Sequence, residues 1–279
     1  LTLLNFLIPA LVAPVLSAQV IEDDFNDGND SGWERYAPLA ALGAPATFSF
    51  PGGSGYRVQS PPSPNAALAG PARAGAHRAS ALYEAFRVEV DLIDWNNGLE
   101  QDIGGLGSLG EVGLGTTNGY AFSYDTGGEG LFISVLSGEQ PDTLGSASVT
   151  LIPGESYRMV FQGFFDVEEF YGQLCGEIFS LDDLETPLAT VFGSNFDYQS
   201  GTCGIFTNST ADGGRTDATF DNYRSSAETD VDKDGMTDQW EVDNLGDIFW
   251  YDDEDFDGDG QTNLEEFLGG SDPADPDSL

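Results

Sequence analysis

Residues 86–92 read Phe86-Arg87-Val88-Glu89-Val90-Asp91-Leu92. Apolar and polar side chains alternate without exception. Phe86, Val88, Val90 and Leu92 therefore share one face of an extended chain, and Arg87, Glu89 and Asp91 the other. A helix of 3.6 residues per turn would mix the two sets. Leu131–Leu136, Tyr157–Phe161, Cys203–Phe206 and Ala218–Tyr223 behave alike. From Glu22 to Ala227 about a dozen such runs follow one another, divided by Gly, Pro, Asn and Asp, with no amphipathic helix of useful length between them. The pattern predicts an all-β chain folded as a two-sheet antiparallel sandwich. Gly52–Gly55 and Pro61–Pro64 read as loops, and Gly104-Gly105-Leu106-Gly107 as turn material.

Charge narrows the function. The 279 residues hold 48 Asp and Glu against 9 Lys and Arg, a formal net charge of −39. Phosphate backbones and anionic membrane surfaces are bound through Lys and Arg, so nucleic acid and anionic membranes are excluded as partners. His77 is the single histidine, which excludes multi-histidine metal sites. Its place between Arg73 and Arg78 suits a strand rim better than a catalytic base. Apolar residues at 40 % and aromatics at 12 % are enough for a core. A Gly-x-Ser-x-Gly elbow and a phosphate-cradling loop ending in Lys-Ser/Thr are both missing.

Residues 1–20 carry no charge and end their apolar run at Ser17-Ala18. This is the pattern of a secretory signal peptide over 1–18, truncated at its N-terminus, with a mature start at Gln19. Pro9 and Pro14 weaken the alternative of a membrane span. The expected location is secreted, extracellular or cell-surface. The two cysteines, Cys175 and Cys203, are then expected to form a disulfide, with two buried thiols as the alternative.

From Glu228 onward the composition changes. These 52 residues hold 19 acids and one cation, Lys233, and finish in an extended tail over 273–279. So small and acidic a piece needs something to neutralise it before it folds. It contains one twelve-residue pattern twice. Asp230, Asp232, Asp234, Asp238 and Glu241 stand at positions 1, 3, 5, 9 and 12 of the first loop, with Gly235 at 6. Asp255, Asp257, Asp259, Asn263 and Glu266 repeat the spacing in the second, with Gly260 at 6. Alternate residues of a tight loop point inward, Gly allows the sharp turn, and the carbonyl at position 7 (Met236, Gln261) faces the centre. A Glu at 12 closes the oxygen shell, so the spacing suits two Ca²⁺ ions. A helix-compatible stretch follows each loop.

The loops resemble the calcium repeats of dockerins and of thrombospondin type 3 domains, and are EF-hand-like. Thr237 and Thr262 replace the aliphatic residue at position 8 of sensor EF-hands, which points to a static structural site. In the larger part, Asp23-Asp24-Phe25-Asn26-Asp27-Gly28 with Trp33, and Ala218-Thr219-Phe220-Asp221-Asn222-Tyr223, resemble the ends of concanavalin A-like, laminin-G-like jelly rolls. That resemblance implies that the first and last strands pair. The combination looks like exported proteins of planctomycete or verrucomicrobial type. The implied organisation is a jelly roll over 19–227 and a calcium module over 228–272. The expected role is a non-enzymatic glycan-binding module, or an extracellular structural or adhesion component whose partner is a polysaccharide or another cell-surface protein. Trp95, Asn96, Tyr120 and Tyr124, at strand ends, are the candidate sugar contacts. The alternative is a glycoside hydrolase using Glu89 and Asp91, with Asp94 on the wrong parity for a third acid.

Overall fold

The structure is a computed structural model that describes residues 19–278. The leader expected over 1–18 lies outside the described residues. The strands are β1 (Ile21–Asp23), β2 (Glu34–Tyr36), β3 (Thr47–Ser49), β4 (Tyr56–Ser60), β5 (Arg73–His77), β6 (Phe86–Trp95), β7 (Gln101–Leu109) and β8 (Gly119–Asp125). They continue with β9 (Gly130–Ser137), β10 (Gln140–Ser148), β11 (Tyr157–Asp166), β12 (Tyr171–Ser180), β13 (Ala189–Ser194), β14 (Thr202–Ser209) and β15 (Thr216–Ser226). A single turn, α1 (Ala66–Ala69), interrupts them, and α2 (Asp238–Asn244) and α3 (Asn263–Gly269) follow them.

Two antiparallel sheets stack as a jelly-roll sandwich. The first runs β13-β12-β11-β6-β15-β4-β3, with β1 also on β15; the second runs β10-β9-β8-β7-β14-β5-β2. The first and last strands pair, with Asp23 opposite Tyr223. Trp33 donates its indole N–H to Asp23 Oδ2 (2.9 Å), and its ring meets Tyr223 edge-on at 4.6 Å. No helix of the described residues is long and apolar enough to cross a membrane.

Alternation decides which side chains fill the sandwich. Phe86, Val88, Val90 and Leu92 of β6 point between the sheets with Met159 and Phe161 of β11, Phe122 and Tyr124 of β8, and Ile205 of β14. The run Gly104–Gly107 is not a turn, as its glycine content suggested. It is the middle of β7, paired with β8 and β14. Its glycines serve packing: a Cβ on Gly107 would stand 2.2 Å from the Phe86 ring. Gly163 of the opposite sheet approaches the same ring, so Phe86 is clasped between two backbones that only Gly permits.

The cysteines are not bridged. Cys203 points into the sandwich, while Cys175 points out of β12 into a separate apolar cluster with Phe164, Val231 and Ile248. A sheet stands between the two thiols, which is why the expected disulfide does not form.

Gly163→Ala places its methyl 2.4 Å from the Phe86 ring. The expected result is a loss of about 1–3 kcal/mol, seen as a lower urea midpoint. An unchanged midpoint would show that Phe86 is not confined between the sheets.

Candidate functional site

Two regions concentrate chemistry. The first is the pair of acidic loops. Their hydrogen bonds repeat position by position. At position 4, the amides of Lys233 and Gly258 donate to the position 1 carboxylates, Asp230 Oδ1 (2.8 Å) and Asp255 Oδ1 (2.7 Å). At position 7, the amides of Met236 and Gln261 donate to Asp234 Oδ1 (2.8 Å) and Asp259 Oδ1 (2.7 Å). At position 2, the amides of Val231 and Phe256 donate to the position 9 side chains, Asp238 Oδ1 (3.0 Å) and Asn263 Oδ1 (3.1 Å). Gly235 and Gly260 take the left-handed turn at position 6 (φ +96° and +104°). α2 and α3 both begin at position 9 and so carry the Glu of position 12 inward.

Asp234 and Asp238 in the first loop, and Asp257 and Asp259 in the second, each tie one oxygen to a backbone amide and leave the other without a partner, while both oxygens of Glu241 and of Glu266 are without one. Oxygens of Asp230, Asp232 and Asp234 lie within 4.8 Å of one another, as do those of Asp232, Asp238 and Glu241, and those of Asp255, Asp257 and Asp259. Among the described residues, every buried carboxylate oxygen without a hydrogen-bond partner belongs to these loops: on Asp232, Asp234, Asp238 and Glu241 in the first, and on Asp257, Asp259 and Glu266 in the second. Buried charge without a partner costs several kcal/mol, so a folded chain does not collect it without a counter-charge. An all-oxygen, carboxylate-rich set of this spacing suits a hard divalent cation.

The second region is the outer face of the β10–β2 sheet. Alternation turns Arg73, Asn208, Asp102 and Asp125 outward from β5, β14, β7 and β8, and the register sets them side by side in one row. Asn208 donates to Asp102 Oδ2 (3.3 Å), and burial pushes Asp102 up to about 6. Toward the other end of the strands lie Phe206, Leu106 and Ala121, and His77, whose Nδ1 is 3.0 Å from Thr202 Oγ1. Arg73, Asn208 and Asp102 of the row, with Phe206, Leu106, Ala121 and His77, floor a cleft of about 450 Å³. The cleft is partly roofed. Glu139, at the β9–β10 turn, makes a two-pronged ion pair with Arg73 (2.7 and 2.8 Å). β9 and β5 are four strands apart, about 19 Å within a sheet, so the pair meets above the floor. Tyr36 on β2 adds a second span by donating to the Gly113 carbonyl (3.3 Å).

None of the four expected sugar contacts lines this cleft. Trp95, Tyr120 and Tyr124 are buried between the sheets; Trp95 meets Tyr124 edge-on, and Tyr120 donates to Asn195 Oδ1 (2.8 Å). Asn96 shapes the β6–β7 turn by accepting from the Gly98 amide (3.0 Å). The residues that do line it lie on the polar face of strands whose apolar face carries the stronger sequence signal. Asp102 and Asn208 stand on the opposite parity to Ile103 and Ile205, and that parity was the available signal.

Glu89 and Asp91 do not form a hydrolase pair. Both face the outer side of the other sheet. Asp91 is held by Arg158 and by Asn222 Nδ2 (2.8 Å). Glu89 is surrounded by Arg87 (2.8 Å), Arg158 (3.4 Å) and Arg224 (3.4 Å). Burial raises the Glu89 carboxyl, but Arg87 and then the other two arginines outweigh it and hold the group below its ordinary range, the opposite of what a general acid requires.

No protein-family model matches the sequence, and no curated protein matches it. Comparison with solved structures finds similar chains. The carbohydrate-binding module CBM66 from Bacillus subtilis is 14 % identical, with a TM-score of 0.48 over 71 % of this chain and 97 % of its own. Lectin II from Ulex europaeus is 8 % identical, with a TM-score of 0.45 over 75 % and 97 %. The metal-free form of lectin I-B4 from Griffonia simplicifolia is 12 % identical, with a TM-score of 0.45 over 75 % and 98 %.

In the first loop, burial and then the neighbouring carboxylates push Glu241 up to about 9 and Asp232 up to about 7. A folded-state value above the unfolded one means that the folded chain binds extra protons. Without a cation, stability conferred on this segment is therefore greatest at low pH and falls as pH rises from about 4.5 to about 9. Urea unfolding in chelator, followed by fluorescence of Trp240 and Trp250, should show the midpoint dropping across that window. A midpoint that climbs with pH would contradict the crowding described.

Proposed function

We propose that this protein is a secreted, calcium-binding β-sandwich that holds a glycan in the cleft on the outer face of its β10–β2 sheet. The observation that carries the calcium reading is the set of partnerless buried carboxylate oxygens, all within two loops of repeated geometry. Asp230, Asp232, Asp234, Asp238 and Glu241 would hold one ion with the Met236 carbonyl. Asp255, Asp257, Asp259, Asn263 and Glu266 would hold the other with the Gln261 carbonyl. The ions would neutralise the carboxylates and fix the loops. The apolar, uncharged stretch 1–18 supports export, and the millimolar calcium outside cells suits loops of this kind.

The glycan reading is supported by the cleft itself. It offers a half-buried aromatic ring, Phe206, beside a carboxylate and an amide, Asp102 and Asn208, which is the mixture that sugar rings require. Its one guanidinium, Arg73, is already engaged by Glu139, Ala69 and Pro71. Roofing limits the space to a short glycan or a chain end.

Calorimetric titration should show two calcium ions, with Glu241→Gln and Glu266→Gln each weakening one site at least about tenfold. On a glycan array the intact chain should retain at least one neutral oligosaccharide, and Phe206→Ala and Asp102→Ala should each weaken that binding about tenfold. A chain that takes up no calcium at millimolar metal, or no glycan on the array, overturns the corresponding half of the proposal.

A further inference from the structure

The two loops differ in one respect that their common spacing conceals. In the first, the residues between the expected ligands are bound to the sandwich. Gln162, fully buried on the outer face of β11, brackets the peptide of Asp230: its Nε2 donates to the Asp230 carbonyl (3.2 Å) and its Oε1 accepts from the Asp230 amide (3.2 Å). Val231, at position 2, is fully buried against Phe164 and Cys175. Lys233, at position 4, stands in the left-handed region (φ +72°), where the second loop has Gly258, and its Nζ is 3.1 Å from the buried carboxylate of Glu177 on β12. A long side chain in that backbone region is held only where something else fixes it, and here the ion pair does so.

The second loop has none of this. Phe256, its position 2, is 37 % exposed and packs on Trp250, and a side chain at Gly258 would meet open space. Among the described residues, no hydrogen bond or ion pair joins 250–278 to the strands.

We infer that Gln162 and Glu177 are positioning residues for the first calcium loop, and that cation binding there latches the C-terminal segment onto β11 and β12 over Cys175. This rests on the calcium reading above. The physical link is alternation within the loop. Positions 1, 3 and 5 turn to the ion and positions 2 and 4 turn to the sheet, so carboxylates that repel one another cannot spread without withdrawing Val231 and Lys233. The linkage is reciprocal: a sandwich that holds the loop closed also raises its affinity for the cation. The second loop has no such coupling.

Cys175 reports the latch and Cys203 is the internal control. Cys175 lies under Val231, whereas Cys203 lies between the sheets. The full chain is treated with a maleimide in calcium and in chelator, and the labelled peptides are mapped. In calcium neither thiol should react. In chelator Cys175 should become labelled at least about tenfold faster than Cys203. In a Glu266→Gln chain, which isolates the first loop, Gln162→Leu should weaken calcium binding about tenfold. In a Glu241→Gln chain, which isolates the second, Gln162→Leu should leave binding unchanged. Circular dichroism should show the same strand content in every variant. Equal labelling of both cysteines in chelator, protection of both, or a Gln162→Leu effect on the two loops alike would overturn the latch while leaving the calcium reading intact. Absence of any calcium uptake would overturn both.

Discussion

Side-chain alternation across two stacked sheets is the constraint from which the rest of this molecule follows. The core strands each commit one face to the shared interior, and that face is mainly apolar and aromatic, with Thr207 and Thr216 bonded to each other across it (2.7 Å). The opposite faces are then free to differ. On one sheet they form the cleft floor that carries Asp102, Asn208 and Phe206. On the other they carry the arginine–carboxylate network around Glu89 and Asp91 and, two strands along, the surface on which the C-terminal segment sits. Glycines at 107 and 163 show how tightly the interior is filled, since the Phe86 ring uses the space that their side chains would take.

Charge is managed differently in each region. With 48 acids and only 9 basic side chains, most carboxylates must stay in water or be held by backbone amides. The scarce cations are spent where acids are buried: Arg158 on Asp91, Arg73 on Glu139 and Lys233 on Glu177. Burial without any of these occurs in the two acidic loops, which is why they point to a cation from outside the chain. The Arg73–Glu139 pair has a further consequence. It consumes the one guanidinium of the cleft and so leaves that surface with hydrogen-bonding and aromatic groups suited to an uncharged ligand.

Much of this was legible beforehand and some was not. Strict alternation at 86–92 marked both the strand and its inward face. The spacing of Asp230–Glu241 and Asp255–Glu266 marked two loops whose hydrogen bonds repeat position by position. The errors have a common origin. Trp95, Tyr120 and Tyr124 stand at strand ends, which are often exposed, yet the sandwich buries them. Gly104–Gly107 has the glycine density of a turn, whereas here it marks close approach between layers. An oxidising compartment pairs Cys175 with Cys203 but does not fix which face each occupies.

The sequence by itself determined what is local: the period of two, the inward parity of each strand, and the crowding of carboxylates within twelve residues. These are properties of a short segment and need no partner. Only the tertiary structure decided what depends on strand order and register. It put Arg73 beside Glu139, 66 residues away, and Gln162 beside Asp230, 68 residues away. It also set the two thiols on opposite sides of a sheet. Alternation says which way a side chain points but not which strand lies alongside, because many pairings satisfy the same pattern and the choice among them is made by the packed core as a whole.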